Sequence, residues 1–312
     1  MIAPARSNRP SWTGRAAAGV PRSGPAPRWR IVNEQHTSGD PVLTAFVGRV
    51  GDHNDRAMSG ADLLGRALAS RMRLPIATVG TPKPSLNTGW RVELGAARPD
   101  LVLLRQHYDA ILDRGGRPVT AITRCAVALA TLPSVARVYP DAVVLWLDAH
   151  ADLNVPESSP TGYLGGMALS GPAGLWRTGL GAGVDLRRAV LCGARDVDPA
   201  ERALIDAGRV RHLPIDEALP DRLAELVAGQ RVYFHLDCDV LEPGIVPTDY
   251  AVPGGMTLDQ LGAVAKVAAT AELVGAEFGE FQGGWPDGRC CPPDALLDAL
   301  SPLLAALAET AP

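Results

Sequence analysis

From residue 42 onward, short apolar runs alternate with amphipathic stretches. Runs rich in Val, Ile and Leu and bounded by Gly, Pro or Asp read as buried strands. Stretches with apolar positions three and four apart read as helices. The expected strands are Leu43–Gly48, Pro75–Val79, Val119–Ile122, Ala142–Leu147, Ala189–Gly193, Arg209–Leu213, Val232–Asp237 and Leu273–Glu277, with Leu101–Leu104 as a strand or part of a helix. The expected helices are Ala61–Ala69, Arg124–Val138, Pro199–Ala207, Pro220–Val227, Leu258–Thr270 and Pro293–Ala308. Asp198 and Thr257 stand where helix N-caps belong. This alternation predicts an α/β fold of three layers, α/β/α, around a mostly parallel central sheet of about eight strands. No repeat and no Pro/Gly/Ser linker divides the chain after residue 42, so residues 40–312 are expected to form a single catalytic domain.

Residues 1–39 differ in kind, with six arginines, one glutamate and many Pro, Gly, Ser and Ala. They read as a disordered tail, with an organelle transit peptide as the alternative. Without them Lys+Arg falls from 30 to 24 and Asp+Glu from 34 to 33, leaving a body with a net charge of −9. Nothing in it resembles a basic stripe for nucleic acid. No run of 18 apolar residues predicts a membrane span, and the N-terminus lacks the apolar core of a secretory signal. The cysteines at 125, 192, 238, 290 and 291 form no CxxC pair, which fits free thiols in a reducing cytoplasm. Cys192 and Cys238 read as core, and the Cys290–Cys291 loop has no assigned role.

Two strand ends concentrate the chemistry. Ala142–Leu147 runs into Asp148-Ala-His150-Ala-Asp152-Leu-Asn154, and Val232–Leu236 runs into Asp237-Cys-Asp239. Residues two apart on a strand emerge on one face, so Asp237 and Asp239 project together, with His235 one layer deeper. Asp148, His150 and Asp152 repeat the spacing. A lone aspartate is usually a cap or turn residue. Five donors in two such segments instead suit two closely spaced divalent cations, which can acidify a shared water. His235 reads as a hydrogen-bonding support for ligand carboxylates rather than a ligand. His107 and His212 read as structural.

These motifs resemble those of the ureohydrolases, the arginase and agmatinase family. Gly193-Ala-Arg195-Asp196-Val-Asp198-Pro-Ala-Glu201 is similar to the family segment that holds an amino acid's α-amino group. Glu277-Phe-Gly-Glu280 is similar to its last strand, whose glutamate contacts the guanidinium. The resemblance covers about residues 42–310. It implies an arginase-like fold, two manganese ions bridged by Asp148 and Asp237, His150 and Asp239 on one ion, and Asp152 on the other. By the same resemblance Asn154 and Thr161 would bind a substrate α-carboxylate. Asp198, with Glu201 beside it, would bind the α-amino group. Glu280 would act at the guanidino end, with Asp148 and Asp237 also counted as catalytic.

Two departures shape the expected chemistry. The family histidine 23 residues before the central aspartate is here Cys125, in Thr123-Arg124-Cys125-Ala126. A soft thiol suits manganese poorly, so the ion near Cys125 is expected to bind weakly, if Cys125 ligates at all. Gly51-Asp52-His53 lies too early to replace that histidine; His53 is expected at the mouth of the site. The family histidine that passes protons, 15 residues after the central one, is here Gly165. Tyr163 replaces a small amide in the carboxylate pocket. Loss of both imidazoles favours a substrate with an easier leaving step than arginine. The cysteine-for-histidine change resembles the branch of the family that hydrolyses Nω-hydroxy-L-arginine in D-cycloserine antibiotic biosynthesis. The expected reaction is therefore hydrolysis of that small amino acid to hydroxyurea and L-ornithine by a metal-activated hydroxide. The alternatives are an ordinary arginase or other guanidino-acid hydrolase, and a metal-binding pseudoenzyme. The sequence predicts no oligomeric state.

Overall fold

A computed structural model describes residues 39–309 of the chain, so the tail expectation lies outside the described residues except at Gly39. Eight strands form one sheet: β1 (Pro41–Phe46), β2 (Ile76–Val79), β3 (Arg117–Ala121), β4 (Val143–Leu147), β5 (Ala189–Cys192), β6 (Arg211–Leu213), β7 (Arg231–Asp237) and β8 (Glu272–Gly279). Their order is β2-β1-β3-β8-β7-β4-β5-β6, and every pairing is parallel. Parallel neighbours require long crossovers, and most of those here carry a helix. The helices are α1 (Arg56–Met72), α2 (Trp90–Leu112), α3 (Ala128–Val138), α4 (Pro199–Asp206), α5 (Leu219–Val227), α6 (Leu258–Ala268), α7 (Asp294–Ala299) and α8 (Ser301–Ala308).

Period-two patterning sorts the strands between two cores. On β4, Val144 and Trp146 pack with α2 and α3 residues such as Leu104 and Leu129. Val143, Leu145 and Leu147 face the opposite core, with Leu64 and Leu68 of α1, Leu223 of α5 and Leu261 of α6. Cys192 and Cys238 belong to that second core, as expected.

One open choice is settled and two expectations need correction. Leu101–Leu104 is the middle of α2, a 23-residue helix that continues through Pro99. Its apolar stripe, Leu94, Ala97, Leu101, Leu104, Tyr108 and Ile111, has helical spacing, and burial against α3 outweighs the proline's cost. The stretch expected as one helix at Arg124–Val138 begins with extended backbone at Arg124 and a short 3-10 turn, Cys125–Val127, before α3. The last helix divides at Leu300 into α7 and α8, with Pro302 in the first turn of α8.

The chain turns tightly where the strands stop. Helix α1 crosses the segment after β8 at Gly60, where an added Cβ would lie 1.8 Å from the Phe281 carbonyl oxygen. Phe281 follows Glu280, so this contact sets where the end of β8 lies. Gly60→Ala is expected to cost about 1–3 kcal/mol or more by overpacking, and to lower activity in the folded fraction. Gly95→Ala in α2 meets nothing within 4 Å and is the control. It should stabilise by about 0.5–1 kcal/mol, the helix preference for alanine over glycine. Chemical denaturation of both variants checks the pair.

Candidate active site

The C-terminal ends of β3, β8, β7 and β4, adjacent in the sheet, deliver the chemistry. Open parallel sheets bind ligands at this edge. Cys125 follows β3, Glu280 follows β8, Asp237 ends β7, and Asp148 follows β4. Cys125, His150, Asp152, Asn154, Thr161, Asp198, Glu201, Asp237, Asp239 and Glu280 all line one cleft. Asp148 lies buried beneath it, 1% exposed. Asp152 and Glu280 have left-handed backbone, with φ of 52° and 63°. Non-glycine residues hold that conformation at a cost, often where a side chain must be aimed at a site.

Three sets of donor atoms interlock. Asp148, His150 and Asp239 form one, with His150 Nδ1 3.2 Å from Asp148 Oδ1 and 3.1 Å from Asp239 Oδ2. Cys125 joins Asp237 and Glu280 in another, and Asp148 and His235 in a third. The Cys125 thiol donates to Asp237 Oδ2 at 3.0 Å. Asp152 lines the cleft without joining these close sets. Backbone and ring donors orient the carboxylates: His150 N–H to Asp148, Ala149 N–H to Asp239, Asp239 N–H to Asp237 and Trp146 Nε1 to Asp148.

Burial, followed by repulsion from neighbouring acids, pushes the carboxyls of Asp148, Asp152 and Asp237 up from the ordinary aspartate range. Burial opposes a charged His150, but Asp148 and Asp239 outweigh it and hold the imidazolium. Burial raises the Cys125 thiol well above its usual range, and Asp237 and Asp148 raise it further. Buried oxygen donors, few imidazoles and too little positive charge are the donor set a pair of hard divalent cations fits.

A buried polar row supports this layer. Glu277, His235 and Trp146 sit side by side on β8, β7 and β4. Trp146 stacks on His235 with centroids 3.5 Å apart, and His235 Nδ1 lies 2.7 Å from Glu277 Oε1. Its Nε2 lies 3.2 Å from the Cys125 sulfur. Thr131 and Tyr233 donate to the other Glu277 oxygen. His235 thus touches the site from below. His107 and His212 contact Thr44 and the Ala194 carbonyl.

At the other end of the cleft Asn154 donates to Asp198 at 2.7 Å. Both Glu201 oxygens accept backbone N–H groups, from Leu153 and Asp198, so Glu201 closes a capping box at the start of α4. Thr161 accepts from the Tyr163 N–H. The Tyr163 ring covers Gly165: a Cβ there would lie 2.3 Å from Tyr163 Cε1 and 2.9 Å from its hydroxyl oxygen. The phenol therefore occupies the room a side chain at 165 would need. His53 stacks on Tyr163 with centroids 4.5 Å apart, and Tyr250 completes an aromatic rim.

The residues least legible in the sequence surround Glu280. Arg124 is fully buried and pairs with Asp52, Asp249 and Glu280. Burial lifts Glu280 to about 7 against the opposing pull of Arg124. The position of Arg124 beside Cys125 was the one available signal, and nothing in the sequence pairs it with acids 72 and 156 residues away. Gly51-Asp52-His53 is not a displaced metal motif, since Asp52 anchors Arg124 and His53 joins the rim.

Comparison with known proteins agrees with this architecture. The Arginase family model matches residues 75–283. An N(omega)-hydroxy-L-arginine amidinohydrolase from Streptomyces lavendulae is 44% identical over 239 residues, covering 77% of this chain and 88% of the relative. An arginase from Schizosaccharomyces pombe is 33% identical over 50% of this chain, a match that spans 54% of the relative. Among solved structures, Entamoeba histolytica arginase in complex with L-ornithine superposes with a TM-score of 0.73 at 18% identity, over 87% of this chain and 99% of the other. The family model spans the strand ends that build the cleft, and with the extent of the Streptomyces match it shows that the chain belongs to the arginase family of hydrolases, which act on guanidino groups.

Proposed function

We propose that the protein hydrolyses Nω-hydroxy-L-arginine to hydroxyurea and L-ornithine. The observation that carries this reading is the 44% identity, over 77% of the chain, to a relative named for that activity. Cys125 and Gly165, the two departures from arginases, support it. An ordinary arginase is the weaker reading.

The cleft supplies a role for each end of such a substrate. Asn154, Thr161 and Asp198 would hold the α-carboxylate and α-amino groups, and Glu280 would accept from the guanidine nitrogens at the other end. Asp148, His150, Asp237 and Asp239 would hold one divalent cation, and Asp148, Asp152 and Asp237, with Cys125 beside them, a second. Manganese suits this mostly oxygen and imidazole set, and the thiol is its weakest member. Such ions supply an acidified water and polarise the substrate carbon. The chain's own residues orient the carboxylates, shield the cleft with Tyr163, Tyr250 and His53, and present Glu280. Water adds to the hydroxyguanidine carbon, the bond to the ornithine nitrogen breaks, and that nitrogen takes the proton. We assign the activity to a single catalytic domain over residues 40–312, in the cytoplasm, with antibiotic biosynthesis as its setting.

Three outcomes test this reading. Steady-state assays with added Mn²⁺ should give a far higher kcat/KM for hydroxyarginine than for arginine, and almost none for agmatine, which leaves Asn154 and Thr161 without a carboxylate partner. Arginine turned over as well as hydroxyarginine would overturn it in favour of an arginase.

The second outcome concerns metal removal. In the metal-free protein Asp148, Asp152 and Asp237 have folded values above the ordinary aspartate value of 3.8, so the folded state binds more protons than the unfolded chain above that pH. Metal-free stability should therefore fall as pH rises through those folded values. The melting-temperature gap between chelated and Mn²⁺-loaded protein should widen from about pH 5 to about pH 8. Asp237→Asn should lose most bound manganese by elemental analysis. A gap that stays constant with pH would contradict the cation assignment.

Third, Gly165→His should not raise arginase activity, because the Tyr163 ring occupies its space. It should destabilise the protein by about 1–3 kcal/mol, and the double change with Tyr163→Ala should recover part of that loss. Thermal melts of the single and double variants check it.

A further inference from the structure

Arg124 is the group around the cleft that the proposed chemistry leaves without a task. Its side chain is fully buried. Nε donates to Asp52 Oδ1 at 3.0 Å, and Nη1 donates to Glu280 Oε2 at 2.6 Å and lies 3.1 Å from Asp249 Oδ2. Nη2 has no hydrogen-bond partner among the described residues. The anions around it are themselves held. Asp52 accepts from the Val50 N–H, and Asp249 accepts from Asn54 and contacts His53 Nδ1. The guanidinium is therefore fixed in place, with its charge against the carboxylate of Glu280. The second Glu280 oxygen also has a donor, the Cys125 N–H at 3.3 Å.

A carboxylate that is meant to clamp a substrate guanidinium serves best with its charge free. Here that charge is shared with a permanent cation, Arg124, which Asp52 and Asp249 also contact, in a buried setting where like charges repel strongly. A second guanidinium brought to Glu280 would share one carboxylate with Arg124. A guanidine carrying an electron-withdrawing oxygen on nitrogen is less basic, and its neutral form can donate to Glu280 without that repulsion. Arg124 also separates two ways of preferring hydroxyarginine: by contact with the N-hydroxyl, or by charge state.

We propose that Arg124 is a specificity-determining residue that selects neutral guanidines over guanidinium cations by occupying the charge of Glu280. This rests on the reading of the cleft as a guanidine hydrolase site with Glu280 at the guanidino end. Arg124 acts through Glu280 and touches no reacting atom.

The test uses three ligands on the Mn²⁺-loaded full chain: L-arginine, a cation; hydroxyarginine; and L-canavanine, whose side-chain oxygen lowers guanidine basicity but which has no N-hydroxyl. Ratios of kcat/KM between ligands are taken within one preparation, so the folded fraction cancels. Wild type should favour both weakly basic ligands over arginine. Arg124→Gln should move both ratios toward arginine by about tenfold or more. Arg124→Lys, which keeps the charge, should stay near the wild-type ratios. Unchanged ratios in Arg124→Gln, or canavanine treated like arginine by wild type, would overturn the proposal and leave the N-hydroxyl contact as the discriminator.

If Arg124→Gln does not fold, competitive inhibition of wild type decides. The affinity of canavanine relative to arginine should rise from about pH 6 to about pH 8 as canavanine loses its proton, because enzyme groups affect both ligands alike. A flat ratio overturns the proposal. Absence of hydroxyarginine turnover by wild type would instead sink the proposed reaction, while direct binding of canavanine and arginine, measured by titration calorimetry over the same pH range, still tests the charge selection.

Discussion

Acidic side chains crowded below the surface at one edge of the sheet are the constraint on which the rest of this structure depends. Asp148, Asp237 and Asp239 are each at most 4% exposed, with His150 set among them and His235 below. Burying carboxylates without counter-charge raises their pKa and costs stability. The surrounding backbone is arranged to reduce that cost. The turns after β4 and β7 aim main-chain N–H groups back at the carboxylates that precede them. Such an arrangement is stable when cations complete it, which is how a binuclear metal family uses this edge.

Beneath the acids, an unusual polar row replaces apolar packing. Glu277, His235 and Trp146 cross three strands, and Tyr108 and Tyr233 tie into the row through Thr120 and Glu277. A buried network of this kind is acceptable only when its members find partners, and then it fixes side-chain positions firmly. Its effect here is local. It holds an imidazole against Cys125 and so sets the surroundings of the one soft donor in the site.

The guanidino end of the cleft departs most from a simple acid clamp. Arg124 balances Glu280, and Tyr163 fills the space above Gly165. The first brings together side chains from distant segments, and the second is a contact between residues two apart in one loop. Together they make this end tighter and less negative than the acidic residues alone would imply.

The sequence by itself determined the strands, the alternation of layers and the acidic residues that gather at the cleft. These depend on local period and on spacing within single segments: apolar runs ending in Asp148-x-His150-x-Asp152 or Asp237-x-Asp239 announce both a strand and what projects from its end. Helix α2 was obscured because Pro99 interrupts its pattern, and only burial against α3 shows that the helix continues. Tertiary structure alone decided that Arg124 meets Asp52, Asp249 and Glu280. The physical reason is range. Spacing along a strand reports which side chains share a face, but a buried ion pair or a filled volume depends on loops that converge only after the sheet has assembled in its non-sequential order.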